Sequence, residues 1–384
     1  MPMKRFLLWL GLLMVVMPGV TMRAHASAPT LPAGFTRETA AQGLTAPTAF
    51  VFTLDGILVT QKDGVIQVVQ DNGTLRAQPY ATLNVSTESE RGLVGIALHP
   101  KYATQPYVYV YYTTGPGALN YSGTPVNRVS RFRTLNGFGT NEEIILDNIP
   151  SPTGEHNGGD LQFGFDGKLY VTVGDGDMYG GMQAQGLQNL AGKILRLNPN
   201  GTIPSDNPFV HKHKPRHEIY AYGFRNPFRL ALRAKTQSYF VADVGWGEWE
   251  EVDVLQPGGN YGWPQFEGPC PIDTHCDPTQ TDFGKTIPPT YYYDSSTTNP
   301  TSIIGGAFAE GSAYPKPYAG AYFFGDFNGW VKVAKFNKHN RVKQVLDFDT
   351  GIVPVQFRLG PDKNIHVLDF VGGSLYRYVY TLTP

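Results

Sequence analysis

Apolar segments rich in β-branched and aromatic residues recur along this chain in short runs, the length and composition of β-strands. The runs come in pairs, each pair joined by a turn that carries Gly, Asp or Asn. Six such units can be read: Leu54–Val69, Gln105–Arg133, Phe165–Asn198, Ser238–Leu255, Gly320–Phe336 and Pro361–Tyr378. Their spacing is uneven, roughly 45 to 80 residues, because long loops intervene. A β-sandwich would show shorter and more even strand spacing. Six sheet units predict an all-β fold, a six-bladed β-propeller. The opening segment Gly34–Leu44 then supplies a strand that closes the ring against the last blade and covers an exposed sheet edge. Asn198–Arg216 and Cys270–Pro300 read as insertions between blades.

Composition agrees with many short strands and tight turns. Gly (44), Pro (30), Tyr (22) and Phe (22) are abundant, and only 16% of the 384 residues are charged. The formal net charge is −1, which gives nucleic acid or an anionic membrane surface no electrostatic hold. The first 26 residues read as a signal peptide. Lys4 and Arg5 precede the apolar run Phe6–Val16, and Ala24-His25-Ala26 forms an A-x-A cleavage site. Residues 27–384 are then expected as one propeller domain, secreted or periplasmic, with no transmembrane span. In an oxidising compartment the two cysteines, Cys270 and Cys276, are expected to pair in a local disulfide that clips a loop. The His211, His213 and His217 cluster reads as a solvated basic loop, since no acidic or cysteine ligand completes a metal set.

Candidate chemistry concentrates between His156 and Asp175. Gln162–Phe165 and Leu169–Val173 read as two strands of a hairpin turning at Asp166-Gly167, so His156 and Asp175 lie at the same end of it. A histidine oriented by a carboxylate is a general base with a fixed tautomer; the alternative is a polar loop at the end of a hairpin. Arg225, before Asn226-Pro227, sits in a turn and can aim its donor fork at a carbonyl or an anion, or simply bond turn carbonyls. Gly245–Pro264 carries Glu248, Glu250, Glu251 and Asp253 beside a glycine-rich turn. That set suits Ca²⁺, or else forms one solvated strand face. Leu93–Leu98 is a buried strand, with Glu90 and Arg91 ahead of it and His99 structural. No Walker loop, G-x-S-x-G elbow, H-E-x-x-H or dinucleotide fingerprint occurs.

The segments ERGLVGIALHP, HNGGDLQFGFDGKLYVTVGDG, NLAGKILRLNPNG, YGFRNPF and EEVDVLQPGGNYGWP together make the chain resemble the glucose/sorbosone dehydrogenase family, the soluble pyrroloquinoline quinone (PQQ) sugar dehydrogenases, over about Phe35 to Tyr378. The resemblance implies a six-bladed propeller that oxidises aldose sugars at C1 to lactones. It implies that His156 takes the C1 hydroxyl proton while the C1 hydride passes to PQQ, and that Asp175 orients His156. By the same resemblance Arg225 and Asn226 contact the quinone oxygen, and Glu90 stands where the family's cofactor-binding glutamine does. The carbonyls of Gly245 and Trp246 fall where the family holds the Ca²⁺ that bridges to PQQ. Glu250, Glu251 and the Tyr261 carbonyl fall near structural Ca²⁺ positions. An external quinone or cytochrome would accept the electrons.

The chain also departs from the family. Phe327 stands near a family lysine, and Val353 and Val355 near two family arginines, the cations that bind the cofactor's carboxylates. Burying a polycarboxylate without counter-charge is costly. Arg91, Arg128, Lys332 and Arg358 are the candidates to replace them. The competing expectation is a non-catalytic, calcium-stabilised extracellular propeller that binds carbohydrate or protein.

Overall fold

The computed structural model describes residues 31–272, 276, 281–295 and 301–381. The signal-peptide expectation for residues 1–26 lies outside them. Six four-stranded antiparallel sheets form the molecule. The first blade holds Pro47–Thr53, Gly56–Gln61, Val65–Val69 and Ala81–Thr82. The second holds Leu93–Leu98, Tyr107–Thr113, Asn127–Leu135 and Phe138–Ile149. The third holds Leu161–Phe163, Leu169–Val173, Lys193–Leu197 and Ile219–Tyr222. The fourth holds Pro227–Arg233, Ser238–Asp243, Trp249–Val254 and Tyr291–Asp294. The fifth holds Ile303–Phe308, Tyr322–Asp326, Trp330–Phe336 and Val342–Thr350. The sixth holds Pro354–Leu359, Ile365–Asp369 and Ser374–Tyr380, and its fourth strand is Phe35–Gln42 from the other end of the chain. Phe35 pairs with Tyr380 and Gln42 with Ser374, so the ring closes as expected.

Each of the six sequence units proves to be the second and third strand of one blade. These strands carry the strongest apolar signal because both their faces are covered by neighbouring blades. Leu169–Val173 and Lys193–Leu197 are buried at every position. Six apolar clusters make the core, one between each pair of adjacent blades. Two expectations need correction. Asn198–Arg216 is not between blades but inside the third, before its outer strand, and most of Cys270–Pro300 is likewise inside the fourth. The outer strands Ile219–Tyr222 and Tyr291–Asp294 are four residues long, too short for a periodic signal to separate them from the loops before them. The hairpin strand expected over Gln162–Phe165 runs Leu161–Phe163, because Gly164–Lys168 form its turn.

Five of the six innermost strands begin with a register shift, at Pro47/Ala49, Leu93/Gly95, Pro227/Arg229, Ile303/Gly305 and Pro354/Gln356. A bulge frees the extra residue's carbonyl from the ladder. Arg229 collects three of these carbonyls. It donates to Thr48 O (2.6 Å), Val94 O (3.1 Å) and Val355 O (3.1 Å), and it lies 3.5 Å from Asp160 Oδ1. One buried guanidinium thus joins the first, second, third and sixth blades to the fourth across the axis.

Candidate active site

The connections from one blade to the next, and the turns between second and third strands, open at the same end of the ring. His156 lies on the connection into the third blade, and Asp175 follows that blade's second strand. His156 Nδ1 is 2.7 Å from Asp175 Oδ1, and both side chains are buried. The carboxylate accepts from Nδ1–H, which leaves the Nε2 lone pair for chemistry. Asp175 is held in turn. Its Oδ2 accepts from Trp263 Nε1–H (2.7 Å), and Oδ1 accepts from the Asp177 amide (2.8 Å). Burial pushes the Asp175 carboxyl up, but the hydrogen bond and charge of His156, with the Asp177 and Trp263 donors, leave it below the usual carboxylate range.

The His156 backbone has φ +48°, a left-handed conformation uncommon for residues other than glycine. Its amide donates to Glu90 Oε2 (2.8 Å), and its carbonyl lies so close to Gly174 that a Cβ there would overlap it. Glu90 therefore supports the backbone of His156. Its own carboxyl is raised, first by the protein packed around it, with His156 opposing. Lys193 is fully buried beneath the adjacent turn and donates to Gln183 O, Ala184 O and Ala191 O.

Arg225 and Asn226 lie on the connection from the third blade into the fourth. Their amides donate to Asp243 Oδ2 (2.9 Å) and Oδ1 (2.6 Å), and the Arg225 carbonyl accepts from the Asp175 amide (2.8 Å). Asn226 Oδ1 accepts from Gly158 N–H (3.0 Å), which ties this turn to the His156 loop. Arg225 Nη1 donates to Val244 O (3.0 Å), whereas its buried Nε has no partner. The guanidinium lines a cavity of about 10 Å³ with Asp243, Gly245, Glu251 and Glu267. That is space for about one water or one ion.

Carboxylates crowd around this cavity. Asp243 pairs with Glu251 across two strands, and Asp253 follows on the same face. Burial, with repulsion from neighbouring carboxylates, pushes Glu251 and Asp253 well up, and burial with repulsion from Asp175 pushes Asp243 up to about 7. Asp253 Oδ2 is buried without a partner. Among the described residues no three His, Cys, Asp or Glu side chains converge into a ready cage. A cation here would therefore need backbone oxygens as well. A small carboxylate-lined cavity and an orphaned carboxylate oxygen nevertheless fit a hard divalent ion.

The structure separates two of the expected metal residues. Glu250 and Glu251 are neighbours on one strand and so face opposite sides. Glu250 accepts from Ile303 N–H (2.9 Å) and Gly245 N–H (3.4 Å), and burial raises it to about 8. The Gly245–Trp249 turn is held by Glu267, one oxygen of which accepts from the amides of Trp246, Gly247, Glu248 and Trp249 (2.7, 2.8, 3.0 and 3.2 Å). Glu267 pairs with Cys270, which forms the expected disulfide with Cys276. Tyr261 anchors its loop through its hydroxyl, which donates to Val254 O.

Glu267, Asp243 and Trp263 are the site residues that sequence reasoning missed. Each acts through distant backbone amides or a side chain far along the chain. Trp263 stood within the quoted NYGWP segment and Asp243 within the Ser238–Leu255 strand unit, but neither was assigned a role there. The four cations named as replacements are engaged elsewhere. Arg91 bonds Ser151 and Glu88, Arg128 pairs with Asp147, Lys332 with Asp347, and Arg358 bonds Gln162 and Ile96 O.

A family model described as Glucose / Sorbosone dehydrogenase matches residues 44–368. The aldose sugar dehydrogenase YliI of Escherichia coli K12 is 31% identical over 230 residues, 57% of this chain and 58% of that protein. Quinoprotein glucose dehydrogenase B of Acinetobacter calcoaceticus is 28% identical over 282 residues, 65% of this chain and 58% of that protein. The crystal structure of an oxidoreductase described as a glucose dehydrogenase, from Thermus thermophilus, is 31% identical. It superposes with a TM-score of 0.76 over 90% of this chain and all of that one.

Proposed function

Since the chain belongs to the glucose/sorbosone dehydrogenase family, we propose that it is an exported PQQ- and calcium-dependent dehydrogenase that oxidises aldose sugars at C1 to lactones. The observation that carries this reading is the buried His156–Asp175 pair beside an Arg225 guanidinium with an unpartnered donor. His156 Nε2 would take the proton of the C1 hydroxyl. Asp175 stays anionic, fixes the tautomer and stabilises the imidazolium that results. Trp263 and the Asp177 amide keep Asp175 in place. Arg225 and Asn226, held on Asp243, would present donors to an oxygen that gains negative charge.

Bound PQQ supplies the two-electron acceptor, and an external quinone or cytochrome would reoxidise it. Asp243, Glu251 and Asp253, with the carbonyls of Gly245, Trp246 and Tyr261, are the groups that would hold calcium. The signal-peptide pattern of the N-terminal sequence supports export, and among the described residues no helix is long and apolar enough to cross a membrane.

Calorimetric titration of purified protein with PQQ should give one-to-one binding that depends on Ca²⁺. The His156→Ala variant should keep that binding and lose sugar turnover. No binding by the wild type, or full turnover by the variant, would overturn the reading. Total absence of binding would favour a non-catalytic propeller, for which the apolar residues at Phe327, Val353 and Val355, where the family carries cations, speak.

A further inference from the structure

The mouth of the ring is chemically divided. On the side of the first, third and fourth blades stand Lys62, Glu90, Arg91, His156, Asp175 and Arg225. On the other side, the described loop residues at the same end are 301–303, 326–330, 350–354, 369–374 and 42–47. These contain no Lys, Arg or His at all. What they present instead is apolar. Phe327 and Phe370 pack together with ring centroids 5.7 Å apart, and Val371 is 55% exposed. Phe327, Val353 and Phe370 are each only partly covered. Phe228, two residues beyond Asn226, packs against the clusters that Phe327 and Phe370 join, so this surface continues to the Arg225-Asn226 turn.

The formal charges within these loops are negative, and Arg229, the cation over the Phe228 ring, is buried and taken up by three carbonyls and Asp160. Asp326 accepts from the amides of Ser302 and Asn328, and Asp369 from those of Val353 and Gly372. Lys332, the cation that acts on Asp326, is paired with Asp347 over the Trp330 ring. Arg37 is bound to Asp349 and the Thr350 carbonyl.

A ligand carboxylate against this surface would lose water and gain no counter-ion, whereas an uncharged ring would bury apolar area. We propose that the fifth- and sixth-blade side of the mouth receives an uncharged aromatic part of the ligand, so that this protein prefers a neutral quinone to a polycarboxylate one. The proposal rests on reading the site as a quinone site.

The test compares PQQ with its trimethyl ester, which has the same ring system without the carboxylate charges, by calorimetric titration of the cofactor-free protein in Ca²⁺. The expected result is that the ester binds at least as tightly as the free acid. A Phe327→Lys, Val353→Arg double variant of the same thermal stability should turn the preference toward the acid by about tenfold. If the wild type binds the acid about tenfold or more tightly than the ester, the proposal is overturned while the quinone site stands. If neither compound binds, the quinone-site reading falls and takes this proposal with it.

Discussion

His156 is held in a left-handed backbone conformation by groups drawn from two other parts of the chain, the Glu90 carboxylate and the space left by Gly174. Strain of this kind persists only where the surroundings over-determine it. Both oxygens of Asp175 are engaged, with His156, Trp263 and the Asp177 amide as its partners. An Asp175→Asn change keeps the shape but removes the charge that fixes the tautomer and stabilises the imidazolium. Turnover of an aldose should fall by about 100-fold or more, with thermal stability close to wild type. Unchanged kcat in steady-state assays would remove Asp175 from the mechanism. The His156–Asp175 juxtaposition was legible in the sequence, because a hairpin returns its two ends to one place. The Trp263 and Glu267 contacts were not, because nothing local records which residue a long loop brings back.

The Asp243–Glu251–Asp253 face of the fourth blade sets the behaviour of that element with pH. These carboxyls are raised, Asp243 to about 7, so folding favours their protonated forms. Such a group contributes stability that is complete below its unfolded pKa, about 4, and is lost as pH rises through its folded value. Without calcium, the melting temperature should therefore decline between pH 6 and pH 8.5. Calcium neutralises the face and should restore it, so chelation should cost more at pH 8.5 than at pH 6. Equal losses at the two pH values, read by differential scanning calorimetry, would show that no cation sits there. The alternation of Glu250 and Glu251 about the strand was implicit in the sequence. The partners of that face were not, since Asp243 lies on the neighbouring strand and Glu267 beyond a loop.

The ring as a whole is closed twice. Phe35–Gln42 completes the sixth blade, and Arg229 binds the bulge carbonyls of three blades with Asp160 of a fourth. Burial lowers Arg229 only to about 10, so it is charged at neutral pH. Arg229→Leu should strand three buried carbonyls and Asp160, costing about 3–5 kcal/mol in chemical denaturation; a loss under about 1 kcal/mol would mean that the bulges need no such anchor. Six blades and the closing strand were readable because the second and third strands repeat a strong apolar pattern. The repeated bulges, the axial arginine and the short outer strands were not, since a bulge changes register without changing composition.

On the proposed reading, hydride and proton leave a sugar at the mouth of the ring. The most direct test is an anaerobic single turnover, in which an aldose is mixed with PQQ-loaded, calcium-replete protein and the cofactor's absorbance is followed. The account predicts conversion from the oxidised to the reduced spectrum in the wild type and none in His156→Ala. An unchanged spectrum in wild-type protein with the cofactor demonstrably bound, across a panel of aldoses, would contradict it.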